Sequence, residues 1–116
     1  MQSRTPDSLS QDVYLPTLAA AFLLDRKAQN LTKKTLEFYR ANLQIFINWC
    51  DTQAVKTIEQ ITPELLRAFF VAMTEKGHKA GGVHAFYRTV RVFIRWYILE
   101  FEPLEWRDPL RKVKPP

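Results

Sequence analysis

Cysteine, glycine and long apolar runs are all scarce in this 116-residue chain. Its one cysteine, Cys50, excludes an internal disulfide and any multi-thiolate zinc site within a single chain. The place of Cys50 on an apolar helical face makes it a small core residue. Only three glycines occur, all within positions 77–82, too few and too clustered for the turns of a β-rich domain. The longest apolar run, LAAAFLL at 18–24, falls far short of a bilayer span. It follows an acidic and polar leader without a basic n-region, so it does not read as a secretion signal. A helical bundle is favoured, and no membrane partner is expected.

Residues suited to catalysis are equally sparse. His78 and His84 are the only histidines, with no HExxH and no cysteine or carboxylate around them at a metal-ligand spacing. The Gly81-Gly82 pair does not make a phosphate-cradling loop. Glu59, Glu64 and Glu75 share no spacing that favours acid–base work, and most acidic side chains are expected to be solvated. No catalytic residue, metal or cofactor is therefore expected of this chain.

What the chain does have is apolar and positive. Hydrophobic residues make up 47% and aromatics 13%, enough for one domain with a modest self-supporting core. Seventeen Lys and Arg against twelve Asp and Glu give a net charge of +5. Residues 77–116 hold eight basic and four acidic side chains, so +4 of the total sits there. A concentrated basic field suits a polyanion, although a total of this size is ordinary for a small soluble domain.

Periodicity and capping signals place four helices. The first runs from about Pro16 to Asn30 and carries Leu18, Phe22 and Leu23. The second follows Thr32, a cap, and reaches about Thr52, with Leu36, Tyr39, Leu43, Phe46, Ile47 and Cys50 as its stripe. Phe38, Ile45 and Trp49 widen that buried face. Thr62-Pro63-Glu64 opens the third, and Gly77 stops it. The fourth spans 81–101. Beyond it, X-Pro junctions and a closing Pro-Pro oppose another long helix and predict an exposed basic linker. The expected organisation is a leader at 1–14, a helical core at 15–106 and a linker at 107–116.

The fourth helix is the most informative. At about 100° per residue, His84, Arg88, Arg91 and Arg95 fall within an arc of roughly 60°. Val83, Phe86, Val90, Phe93, Ile94 and Tyr97 occupy the opposite side. No acidic residue interrupts the seam before Glu100, so intrahelical pairing does not account for it. Val92, Trp96 and Leu99 lie beyond the seam and imply packing against a neighbouring segment or protein. A second patch comprises Lys33, Lys34, Arg40 and Gln44, with Glu37 beside it lowering the local potential. Lys79 extends the seam at its start, while Arg107, Arg111, Lys112 and Lys114 supply tail cations.

Arginines spaced in this way reach several phosphates along a groove. They are equally the solubilising face of an ordinary helix. Three uses remain open on the residues alone: nucleic-acid binding, a helical protein-interaction module for an acidic partner, and a stand-alone transcription regulator. The last lacks a short helix-turn-helix pair.

Four ordered motifs give the chain a resemblance. They are Thr35-x3-Tyr39-x3-Leu43-x2-Phe46-x2-Trp49, then Ile58-x2-Ile61-Thr62, then Val90-Arg91-x-Phe93-x2-Trp96. The last is Asp108-Pro109-Leu110-x2-Val113-Lys114-Pro115-Pro116, where Asp108 stands in place of the common Asn. Together they resemble the N-terminal core-binding domain of tyrosine recombinases, the phage-integrase-like site-specific recombinases. The resemblance implies an all-α, four-helix, SAM-like core-binding bundle that packs on one side of double-stranded DNA through its second and fourth helices.

It places Lys33, Lys34, Arg40, Gln44, Lys79, His84, Arg88, Arg91, Arg95, Arg111, Lys112 and Lys114 as DNA-binding residues. In the parent family, cleavage and rejoining through a covalent 3′-phosphotyrosyl intermediate belong to a separate catalytic domain, which this sequence does not contain. Tyr14, Tyr39, Tyr87 and Tyr97 are accordingly not read as nucleophiles. The implied setting is cytoplasmic and nucleoid-associated, with a monomer in isolation and other recombinase protomers as partners on DNA.

Overall fold

The computed structural model describes residues 13–116, so the expected leader, apart from Val13 and Tyr14, lies outside the described residues. The fold is all-α and 73% helical, with four α-helices and no strand among the described residues. They are α1 (Leu15–Ala28), α2 (Lys33–Thr52), α3 (Pro63–Glu75) and α4 (Ala80–Phe101). Two 3₁₀ turns, Ile58–Gln60 and Pro109–Lys112, were not anticipated from periodicity, being too short to display one.

The capping signals act as expected. Thr32 Oγ1 accepts from the Thr35 amide at 3.2 Å, and Thr62 Oγ1 accepts from the Leu65 amide at 3.1 Å. Pro63 then occupies the first turn of α3, where its missing amide removes no helical bond. The ends of α2 and α3 share one design. After α3, the His78 amide donates to Met73 O and the Gly77 amide to Thr74 O, with Gly77 at φ 102°. After α2, the Val55 amide donates to Cys50 O and the Ala54 amide to Asp51 O, with Ala54 at φ 60°. Both are Schellman ends, but at α2 an alanine sits where glycine is preferred.

α4 packs against all three other helices, and α2 against both α1 and α4. The centre is aromatic: Phe22, Phe46, Phe69 and Phe93 are fully buried. Phe46 meets Phe69 edge-on at 4.9 Å, and Phe22 meets Phe93 at 5.4 Å, an arrangement that satisfies the ring quadrupoles. Cys50 lies in this core, and burial pushes its thiol up to about 12, so it behaves as a small apolar side chain.

The structure corrects the expected exposed linker. Leu110 and Val113 are each only 7% exposed, because the Pro109–Lys112 turn docks on α3. Asp108 starts the turn by accepting from the Leu110 amide at 2.8 Å. Arg67 on α3 donates to the Lys112 carbonyl at 2.6 Å, and Trp106 Nε1 donates to the Ile61 carbonyl at 3.3 Å. Prolines prevented a long helix but not docking, since apolar side chains spaced three apart still reach one surface. Glu59 is also not simply solvated: it is half-buried and accepts from the hydroxyl of fully buried Tyr97.

Candidate nucleic-acid interface

Because α4 is enclosed by three helices, little of its circumference reaches solvent. The expected neighbour of the second apolar group is internal: Trp96 is 8% exposed and packs edge-on against Phe22 of α1 at 5.6 Å. Val92 is half-buried against the same core, whereas Leu99 is 77% exposed. Thr89 is fully buried and accepts a hydrogen bond from Asn42 Nδ2 of α2 at 3.1 Å. The strip left over carries Arg88, Arg91 and Arg95, all exposed, with His84 half-buried beside Tyr87. Lys79 is exposed at the N-cap of α4, next to the strip's beginning.

Pairing divides the cations more sharply than position does. Among the described residues the ion pairs are Arg26–Asp25, Arg40–Glu37 and Lys56–Asp51. None involves α4. Arg40 Nε donates to Glu37 at 3.0 Å, and that hydrogen bond lowers the Glu37 carboxyl and raises the Arg40 guanidinium. Among the described residues the three α4 arginines have no carboxylate partner, so their positive potential is not cancelled there.

The second patch is divided by the packing of α2. Lys34 lines a shallow cleft of about 340 Å³ with Thr35, Phe38, Tyr39 and Arg88, so it joins the α4 cations. Lys33 and Arg40 face the other flank of α2, in a cleft with Lys27, Leu23, Leu36 and Glu37. Gln44 donates to Asn48 at 2.9 Å and borders a cleft of about 640 Å³ beside Tyr14 and Pro16. That cleft is mostly apolar, and its cation, Lys56, is paired with Asp51. Its size therefore does not mark it as the polyanion site.

The tail cations Arg107, Arg111, Lys112 and Lys114 are exposed, on a backbone fastened to α3. Tyr39 and Tyr87 serve packing, edge-on to Phe22 at 5.7 Å and tilted against Phe70 at 6.0 Å. Tyr97 is buried, which leaves Tyr14 as the one largely exposed tyrosine among the described residues. Sequence reasoning placed Phe38 in the buried face, yet its ring lies under the Arg88 guanidinium. It also passed over Lys27. Neither had a local signal, because both associations join side chains from different helices.

Residues 18–101 match the family described as phage integrase, N-terminal SAM-like domain. The chain belongs to that family. The match begins within α1 and ends at the last residue of α4, so it takes in most of α1 and all of α2, α3 and α4, the helices whose packing isolates the arginine strip. No curated protein and no solved structure matches the chain. A phage integrase N-terminal domain belongs in a tyrosine-recombinase context, with DNA as the suggested partner. No helix among the described residues is long and apolar enough to cross a membrane.

Proposed function

We propose that this integrase-type domain grips duplex DNA and positions it for cleavage and rejoining by a separate catalytic domain of a tyrosine recombinase. The observation that carries the reading is the strip on α4: three exposed arginines without carboxylate partners among the described residues, on a helix otherwise enclosed by its neighbours. Arg88, Arg91 and Arg95 contact backbone phosphates and base edges, and Lys34, Lys79 and His84 extend the contact. Lys33, Arg40 and Gln44, together with Arg111, Lys112 and Lys114, provide flanking contacts of lesser weight. The domain docks DNA and does not cut it. Other protomers assemble with it on the same DNA.

A short duplex titrated into the isotopically labelled protein at two salt concentrations tests this. Shifts are expected along α4 and around Lys34, strong at low salt and weakened at high salt as counterions compete. Absence of shifts at low salt, or shifts confined to the apolar clefts, overturns it. A second reading, recognition of an acidic protein, draws on the cleft where Lys27 and Lys33 flank Leu23 and Leu36. In the same titration an acidic peptide, rather than DNA, would then perturb that cleft.

A further inference from the structure

Among the described residues, Arg88 differs from Arg91 and Arg95 in having an aromatic support. Its guanidinium carbon stands 5.5 Å from the centroid of the Phe38 ring, within the roughly 6 Å range of a cation–π contact. The ring is linked to the core through a second aromatic. Phe38 meets Tyr39 edge-on at 5.8 Å, and Tyr39 meets the fully buried Phe22 at 5.7 Å. Asn42, one turn further along α2, donates to Thr89, the residue after Arg88, at 3.1 Å. The support and the cation are thus held at a defined separation although they lie on different helices.

An aromatic support leaves the N–H donors of a guanidinium available, whereas a carboxylate consumes them. Arg40 illustrates the opposite case, with Nε and a terminal nitrogen both engaged by Glu37. A long side chain already held in place also loses less rotamer freedom when it binds. A planar fork with free donors matches the geometry of a phosphate. Lys34 stands in the same cleft and adds a second positive charge.

We infer that Phe38 is a positioning residue for DNA, a platform that holds Arg88 above the α2–α4 cleft ready for one backbone phosphate. This rests on the DNA reading given above. A platform acts only through Arg88, whereas a packing role would be felt whether or not Arg88 is present.

The test is a double-mutant cycle in duplex-DNA affinity, measured by fluorescence anisotropy at one fixed salt concentration. The four proteins are the unaltered chain, Phe38→Leu, Arg88→Ala and the combination, each checked for its helical spectrum. Phe38→Leu is expected to weaken binding about three- to fivefold when Arg88 is present and to change nothing further in the Arg88→Ala background. Phe38→Tyr, which keeps a ring, is expected to bind like the unaltered chain.

An equal loss from Phe38→Leu with and without Arg88, or no loss at all, overturns the platform. So does a Phe38→Tyr variant as weak as Phe38→Leu. If the unaltered chain fails to bind duplex at low salt, the DNA reading itself falls, and the inference with it. Should Phe38→Leu lose its helical spectrum, Phe38→Met, closer in volume, takes its place in the cycle.

Discussion

The exposed strip of α4 and the Lys33/Arg40 flank of α2 are built from the same residue types, yet they differ in what their charges meet. On α2, Arg40 spends its donors on Glu37, three residues away on the same helix. On α4, the nearest acidic residue in sequence after the arginines is Glu100, beyond the strip. Two basic surfaces of similar appearance in sequence therefore present different fields. An exposed ion pair of the Glu37–Arg40 kind adds little stability, and its consequence here is to remove one cation from the pool available to a polyanion. A count of basic residues overstates the interface wherever such a partner lies three or four positions away.

The largest expected effect breaks that comparison directly. Replacing Arg88, Arg91 and Arg95 together by alanine should weaken duplex binding on the order of 100-fold, since charge-assisted contacts contribute about 1 kcal/mol or more each. The log–log salt dependence should become shallower by up to about 2.7, from three lost phosphate contacts. Arg40→Ala should cost less than about threefold. Binding curves across a salt series would measure both variants, and equal losses from the two would erase the distinction between the surfaces.

The next effect concerns the link between the helices. Thr89→Val keeps the shape of a fully buried side chain and removes the acceptor for Asn42. It should lower unfolding stability by about 1–2 kcal/mol, read by urea denaturation. DNA affinity should fall with it, because Thr89 adjoins Arg88 and the bond spans α2 to α4. An unchanged denaturation midpoint would show that the bond does not hold the helices in register.

The smallest effect is a control on locality. Ala54→Gly relieves a left-handed alanine at the end of α2 and should raise stability by about 1 kcal/mol, detected as a higher thermal midpoint. Its DNA affinity should not change, because Ala54 lies at the opposite end of α2 from Lys34. A lower midpoint would mean that the left-handed conformation carries no strain.

Much of this architecture was legible because helical signals are local. Thr32, Thr62 and Pro63 mark starts within a single turn, and a stripe such as Leu43, Phe46, Ile47 and Cys50 needs only the 3.6-residue repeat to be seen. The arginine strip was legible for the same reason. The tail was read less well: its prolines ruled out a long helix, but the docking of Leu110 and Val113 depends on the surface offered by α3. The Lys33/Lys34/Arg40/Gln44 group was read as one patch because those residues are close in sequence. Lys34 lies about 100° from Lys33 around α2, and the wedge of neighbouring helices sends them to different clefts.

The sequence by itself determined the four helices, the apolar stripe each one buries and the row of arginines without an acidic neighbour on their own helix, since each follows from spacing along one helix. Only the tertiary structure decided which cations share a cleft, that Phe38 underlies Arg88, and that Arg40 and Lys34 look different ways. Those relations join residues far apart in the chain, and they come into being only when buried faces dock and fix the helices' rotations.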